Sequence, residues 1–172
     1  NNNNRLDEEN ISNINQSEDL IAERNFSSVY FGGGTPSLSS VESIKKILDA
    51  INNRLTEEET EITFEMNPND VSTKKIEGLL MAGVNRISLG VQSYHDQELK
   101  ALGRSHDSDS ILEAKKILKG TNTTIDLMYG IENQTPESFT SNLKRFISSD
   151  INHLSLYQLT IEPNTIFYKK EL

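Results

Sequence analysis

Three consecutive glycines, Gly32 to Gly34, follow the apolar run Val29-Tyr-Phe31 and precede Thr35-Pro-Ser37. β-favouring residues, then glycines, then a helical pattern predict a strand that ends in a turn of bare backbone and opens a helix. Because ordering a glycine on folding costs conformational entropy, three consecutive glycines indicate a functional role. The expected role is close approach of the main chain to a small polar ligand. A flexible βα turn is the alternative, since an isolated glycine-rich pattern is a weak signal.

Asp126 lies inside Ile125-Asp-Leu-Met-Tyr129, where an unpaired carboxylate among apolar neighbours is costly. Strand alternation puts its side chain on the face opposite to that of its two neighbours. We interpret it as a functional carboxylate in a wet interior near a barrel mouth. A structural salt bridge to Arg86 or Arg104 is the alternative.

Three further side chains have the donors and acceptors that a small polar ligand requires. Glu65, at a predicted strand end, can accept from an ammonium or a ribose hydroxyl. The amide of Gln92 can both donate and accept, and the guanidinium of Arg104 can bind a carboxylate through two hydrogen bonds. The alternatives are a solvated loop acid, a loop-capping amide and a surface arginine.

We do not expect a metal site built from this chain, and we assign no catalytic residue. The sequence contains no Cys and three His, with no His-x-x-His or paired-acid spacing. His95 and His106 are interpreted as polar surface residues, and Tyr157 as a residue of barrel packing. The lack of Cys also excludes a disulfide framework within the chain.

These residues lie on alternating strand and helix patterns. The predicted strands are Ser28–Phe31, Glu61–Asn67, Arg86–Gln92, Thr123–Gly130 and His153–Thr160. The predicted helices run from about Ser39 to Arg54, from a cap at Ser72 to Met81, from about Gln97, from Ser108 to Leu118, and from Pro136 to Ser148. Such alternation predicts an α/β fold with a parallel sheet and right-handed crossovers.

Polar groups at or near the end of every predicted strand favour a barrel mouth over an open doubly wound sheet, whose crevice draws on two or three strands. Five βα units are too few to close an eight-stranded barrel, so a partial barrel is predicted. We assign residues 26–172 to this partial barrel and residues 1–25, which are polar and Asn-rich, to a loosely ordered N-terminal segment.

Length and charge narrow the function classes. The 172 residues suffice for one domain with a sizeable core. The 17 Lys and Arg against 26 Asp and Glu, a net charge of -9, argue against nucleic acid or an anionic membrane as the main partner. No stretch has the pattern of a signal peptide or a membrane span, so a cytoplasmic location is expected.

Six segments occur in a fixed order: Gly32-Gly-Gly-Thr-Pro-Ser37, Glu65-x-Asn-Pro68, Gly83-Val-Asn-Arg-Ile-Ser-Leu-Gly-Val-Gln-Ser93, Leu102-Gly-Arg104, Asp126-Leu-Met-Tyr-Gly130 and His153-Leu-Ser-Leu-Tyr-Gln-Leu-Thr-Ile-Glu-Pro163. Together they resemble the coproporphyrinogen III oxidase-like radical SAM family. The sequences of the last segment and of Gly-Val-Asn-Arg are closer to those of its haem chaperone branch. The resemblance covers about residues 28–172.

This resemblance implies a partial (β/α)6 TIM-like radical SAM barrel that binds S-adenosylmethionine across its strand ends. The residues it implies for that cofactor are Gly33, Gly34 and Thr35 at the methionyl part, Glu65 at the same ligand, Gln92 and Asp126 near the ribose, Arg104 at the carboxylate, and Thr160 at the end of the fifth strand.

The sequence departs from the family at the iron–sulfur site. Family members carry a Cys-x-x-x-Cys-x-x-Cys loop that holds a [4Fe–4S] cluster, and this chain has no Cys. The first recognisable strand of this chain corresponds to the second strand of the family, and the family's C-terminal region does not follow. In the loop after the fourth strand, Gly130-Ile-Glu-Asn133 replaces the usual Gly-Leu-Pro. We therefore expect a fragment, inactive by itself. A degenerate, cluster-free paralogue is the alternative.

The resemblance implies a full-length protein that binds haem and delivers it to haem-receiving proteins, with S-adenosylmethionine and a [4Fe–4S] cluster as cofactors. One alternative is an oxygen-independent coproporphyrinogen III oxidase, which decarboxylates propionates in porphyrin biosynthesis. Another is a cluster-free module that binds S-adenosylmethionine or a nucleotide. A three-Cys loop in the parent protein would favour the chaperone, and a four-Cys loop the oxidase.

Overall fold

The computed structural model describes residues 25–55 and 60–163. The predicted N-terminal segment therefore lies outside the described residues, apart from Asn25. The strands of the described part are β1 (Ser28–Phe31), β2 (Glu61–Met66), β3 (Arg86–Gln92), β4 (Thr123–Tyr129) and β5 (His153–Gln158). The predicted second, fourth and fifth strands end one or two residues earlier than expected.

The five strands form one sheet in the order β1-β2-β3-β4-β5, and every neighbouring pair is parallel. Parallel strands that follow one another in chain order are typical of a barrel, because a doubly wound sheet reverses its order at a switch point. The predicted partial TIM-like barrel of about five βα units is confirmed.

Helices connect successive strands: α1 (Val41–Ile51), α2 (Thr73–Met81), α3 (Asp96–Ala101), α4 (Ser108–Ile117) and α5 (Pro136–Ile147). Side chains at four of their N-caps accept a hydrogen bond from the first turn, as the sequence favours. Ser40 caps α1, Ser72 caps α2, Asp107 caps α4, and Thr135 forms a capping box with Ser138 at α5. Short 3-10 turns occur at Pro36–Leu38, Asn52–Arg54 and Pro68–Asp70.

Strand alternation gives the sheet an apolar and a polar face. On the helix-facing side Phe64, Ile87 and Ile125 are fully buried, and burial of such a side chain stabilises the fold by about 1.5–3 kcal/mol. The inner face of the half-barrel carries Ser88 and Asp126 instead. The core therefore lies between sheet and helices, and the inner face is free to bind a polar ligand.

A buried carboxylate ties the segment after β3 to α5. Glu98 accepts hydrogen bonds from Ser93 Oγ (2.6 Å), Ser138 Oγ (2.6 Å), Gln134 Nε2 (3.0 Å) and Asn142 Nδ2 (3.1 Å). Burial by itself would raise the pKa of Glu98, but these four donors outweigh it and the pKa is lowered. This cluster links the chain just beyond β3 to α5.

Within the described residues β1 and β5 form the two edges of the sheet. Leu156 of β5 is 46% exposed because no described helix covers that position. None of the helices described here is long and apolar enough to span a membrane.

Candidate functional site

The carboxyl ends of the strands enclose a cleft of about 200 Å³, the strand-end cleft. It is lined by Gly34, Thr35, Pro36, Ser37, Glu65, Met66, Asn67, Ser88, Gly90, Gln92, Arg104, Asp126, Met128 and Tyr157. Six of the eight predicted cofactor-binding residues are in this set. Residues up to 123 positions apart, from Gly34 to Tyr157, meet here because parallel strands present their carboxyl ends at one edge.

The glycine loop bends over the end of β2. Gly33 and Gly34 have φ values of +80° and +52°, a left-handed backbone that glycine adopts without strain. The N–H of Gly33 donates to Glu65 Oε2 (3.2 Å), and the Tyr30 hydroxyl donates to Glu65 Oε1 (2.9 Å). Glu65 is therefore a fixed acceptor that organises the loop, and not the solvated loop acid of the alternative interpretation.

A second set of contacts holds the far side of this loop. Ser37 Oγ donates to Asp70 Oδ2 (2.5 Å), and Lys75 Nζ donates to the main-chain carbonyls of Ser37 and Ser39. Burial lowers the pKa of Lys75, and Asp70 opposes that shift. The loop is thus tied to β2 through Glu65 and to α2 through Lys75.

Asp126 is 7% exposed and accepts a hydrogen bond from Ser88 Oγ at its Oδ2 (2.7 Å). Its Oδ1 is buried and has no hydrogen-bond partner in the described part of the chain. Burial raises the pKa of Asp126, and the hydroxyls of Ser88 and Ser155 oppose that shift. Arg86 pairs with Glu61 (3.1 Å) and bonds His153 (2.7 Å) instead, so the alternative of a structural salt bridge is not observed.

Gln92 presents a second acceptor without a partner. The register shifts between Leu89 and Gln92, and Gln92 has a φ of +66°, a left-handed backbone that is strained for any residue with a side chain. Its Oε1 is buried and makes no hydrogen bond within residues 25–55 and 60–163. Two orphaned acceptors, on Gln92 and Asp126, therefore lie in one cleft.

Arg104 is the cation of the strand-end cleft. Its Nη2 donates to Asn67 Oδ1 (2.8 Å) and to the Gly90 carbonyl (3.4 Å). It forms no ion pair with the carboxylates of the described residues, and burial lowers its pKa. A half-buried guanidinium without a carboxylate partner is a ready receptor for one.

Three predictions from the sequence are wrong or incomplete. His106, expected on the surface, is 4% exposed and its Nε2 bonds the Val91 carbonyl (3.1 Å). His95 is partly buried, with Nε2 3.2 Å from the Ser138 carbonyl. Tyr157, expected in barrel packing, is 48% exposed and lines the cleft.

Thr160 stands apart from the other predicted residues. It lies two residues beyond the end of β5, is exposed, and is not among the residues that line the strand-end cleft. Its contact with a cofactor stays a prediction.

Sequence reasoning assigned no role in the site to Tyr30, Asn67 or Ser88. All three orient a predicted residue: Tyr30 bonds Glu65, Asn67 bonds Arg104, and Ser88 bonds Asp126. Strand alternation places Ser88 on the inner face, but no residue pattern shows which carboxylate lies opposite a serine on another strand.

This fold defines a class of protein: a parallel half-barrel with helices on the outside and a polar cleft at its strand ends. The profile of the Radical SAM superfamily matches residues 3–146. The chain belongs to the radical SAM superfamily. Membership implies S-adenosylmethionine and a [4Fe–4S] cluster as the cofactors of the family.

Among curated proteins, the chain is similar to haem chaperone HemW. It is 42% identical over 154 residues to HemW of Haemophilus influenzae, covering 87% of this chain and 40% of that protein. It is 41% identical over 148 residues to HemW of Escherichia coli, covering 84% and 39%. The chain thus spans about 40% of the length of these relatives.

Among solved structures, the fold is similar to that of coproporphyrinogen III oxidase (HemN) from Escherichia coli, a radical SAM enzyme. The TM-score is 0.78 at 28% identity, over 92% of this chain and 38% of HemN. The resemblance to the coproporphyrinogen III oxidase-like family and its haem chaperone branch is therefore confirmed.

The residues of this chain suit one of the two family cofactors, S-adenosylmethionine, and do not suit the other, the [4Fe–4S] cluster. Two buried acceptors without partners, an unpaired guanidinium and a bare glycine backbone match the hydroxyls, carboxylate and amine of S-adenosylmethionine. A [4Fe–4S] cluster has no thiolate to bind, since the chain contains no Cys. No group of three or more His, Asp or Glu side chains in the described residues is arranged to hold a metal ion.

Proposed function

We propose that this chain is the S-adenosylmethionine-binding barrel segment of a radical SAM haem chaperone. The observation that carries the proposal is the pair of buried acceptors, Gln92 Oε1 and Asp126 Oδ1, left without partners in the cleft that also holds Arg104. An unsatisfied buried acceptor costs about 1–3 kcal/mol, and a ligand with two hydroxyl donors removes that cost for both.

In this proposal each part of the cofactor meets a matching group. Gln92 and Asp126 accept from the ribose hydroxyls, and Arg104 donates to the carboxylate. The methionyl part lies on the remaining residues of the site, Gly33, Gly34, Thr35 and Glu65, with Thr160 as a further contact. The cofactor supplies the sulfonium chemistry of the superfamily, and the residues of this chain bind and orient it.

Calorimetric titration of the chain with S-adenosylmethionine tests the site. We expect weak binding, because no cluster ligates the methionyl group, and a further loss of about tenfold or more in Asp126→Ala and Arg104→Ala. Asp109→Ala and Lys74→Ala, which change exposed residues of α4 and α2, serve as matched controls. Equal affinity in all five proteins would refute the assignment.

Binding and delivery of haem is the finer part of the proposal. Its support is the similarity to HemW proteins at about 40% identity over more than four fifths of this chain. The partners are then haem or a porphyrin and the proteins that receive haem. Titration of the full gene product with haem, followed by absorbance, should show saturable binding and transfer to apo-haemoproteins. A product that binds no haem would contradict it.

The fold similarity to HemN favours a second candidate, an oxygen-independent coproporphyrinogen III oxidase. The same full-length preparation, incubated anaerobically with coproporphyrinogen III, S-adenosylmethionine and a reductant, separates the two. Release of carbon dioxide without stable haem binding would favour the oxidase. Haem binding without decarboxylation would favour the chaperone.

A further inference from the structure

A groove of about 480 Å³ runs between α4 and α5 on the outside of the half-barrel, away from the strand-end cleft. We call it the α4–α5 groove; its polar lining consists of Tyr94, three serines and three cations, Lys115, Lys144 and Arg145. Every charged residue in its lining is a cation, although the chain has a net charge of -9.

None of these three cations forms an ion pair within 4 Å in the part of the chain that the structure describes. Lys115 Nζ and the Arg145 guanidinium lie 5.6 and 5.9 Å from the centre of the Tyr94 ring. Asp150 interacts with Lys115 electrostatically but does not line the groove. Arg145 Nη1 also donates to the main-chain carbonyl of Tyr94 (3.2 Å). Lys115 and Arg145 therefore lie over one aromatic ring, and Lys144 lines the same groove.

Tyr94 adds the second observation. The residue is 5% exposed, lines the groove, and its hydroxyl is buried without a hydrogen-bond partner among the described residues. Burial raises the pKa of Tyr94 to about 12, so the hydroxyl stays a donor at neutral pH. An unsatisfied buried donor costs about 1–3 kcal/mol, and an oxyanion in the groove would accept its hydrogen bond.

We propose that the α4–α5 groove binds a phosphate monoester, with Tyr94 and Arg145 donating to its oxygens and Lys115 and Lys144 neutralising its charge. Three cations suit a dianion better than a single carboxylate, and a guanidinium binds phosphate oxygens through two hydrogen bonds. Leu112, 55% exposed in the same lining, offers an apolar contact to the esterified group.

Titration of the chain with butyl phosphate, inorganic phosphate and butyrate at constant ionic strength tests this, with binding followed by amide chemical shifts. We expect saturable 1:1 binding that is tightest for butyl phosphate and at least tenfold weaker for butyrate. Tyr94→Phe and Lys144→Gln should each weaken it about tenfold. Lys74→Gln on α2, the matched control, should leave it unchanged.

Absence of saturable binding, or equal weakening by Lys74→Gln, would overturn the proposal. Equal affinity for butyrate would overturn the ligand class. Thermal melting without ligand supplies an independent readout: Tyr94→Phe should be as stable as the parent chain or more so, because it removes an unpartnered hydroxyl. A marked loss of stability would show that the hydroxyl has a partner, which would also refute the site. S-Adenosylmethionine has no phosphate, so failure here leaves the proposed function untouched.

Discussion

At the scale of single residues, burial of the charged Asp126 carboxylate in the strand-end cleft destabilises the folded chain. Burial raises the pKa of this carboxyl, so the folded chain binds its proton more tightly than the unfolded chain does. The contribution to stability is therefore most favourable at low pH and is lost as the pH rises through the titration, from about pH 4 upward. A ligand that donates to Oδ1 would offset the cost.

Asp126→Asn should therefore stabilise the unliganded chain at pH 7, since the amide keeps the acceptor for Ser88 Oγ without the buried charge. Urea unfolding at pH 4 and pH 7 measures the difference between variant and parent, which should grow with pH. Asp109→Asn, an exposed position on α4, should change stability by less than about 0.5 kcal/mol at both values. A variant less stable than the parent at pH 7 would mean that the carboxylate is compensated in the fold.

At the scale of elements, the Glu98 cluster joins the chain beyond β3 to α3 and α5. Glu98→Gln removes the charge and places an N–H₂ group among four donors, so we expect a loss of about 2–3 kcal/mol in the free energy of unfolding at pH 7. Because the pKa of Glu98 is lowered, its contribution is present above the unfolded pKa and disappears as the pH falls below about 4.

Chemical unfolding across this pH range checks the expectation, with the deficit of Glu98→Gln shrinking in acid. Glu113→Gln is the matched control, since Glu113 on α4 is exposed and pairs with Lys116 at the surface. A deficit that stays constant with pH would show that packing, and not the buried charge, accounts for the effect.

At the scale of the whole molecule, β1 is an edge strand that pairs only with β2 among the described residues. Tyr30 on this strand is 52% exposed. An apolar strand edge invites pairing with another chain, so we expect self-association that increases with concentration. Light scattering should show less association in Tyr30→Lys than in the parent chain.

Leu38→Lys provides the control, because Leu38 is 65% exposed but lies outside β1. Equal effects of the two substitutions would assign the association to general apolar exposure. A monodisperse parent chain at high concentration would show that the edge is covered.

The composition of the whole chain also determines whether it can hold an iron–sulfur cluster. A chain without Cys should incorporate no stoichiometric [4Fe–4S] cluster on anaerobic reconstitution, because such clusters are held by thiolates in most proteins. Iron assay and visible absorbance check this. Four irons per chain would contradict it.

The sequence by itself determined the alternation of elements, the parallel half-barrel and most of the cleft. The ends of the strands can be predicted because apolar runs stop at glycine or at polar residues. Parallel strands must then bring those ends to one edge of the sheet. For this reason Gly34, Glu65, Gln92, Arg104 and Asp126 were predictable as neighbours, although they are far apart in the chain.

Tertiary structure alone decided what each of these residues touches. Whether Asp126 meets Ser88 or an arginine depends on strand register, which no local pattern contains. The burial of His106 and the exposure of Tyr157 depend likewise on which elements cover them. Periodicity assigns a side chain to a face of the sheet, but its partner there, and therefore its charge state and its free hydrogen-bonding capacity, is set by residues distant in sequence.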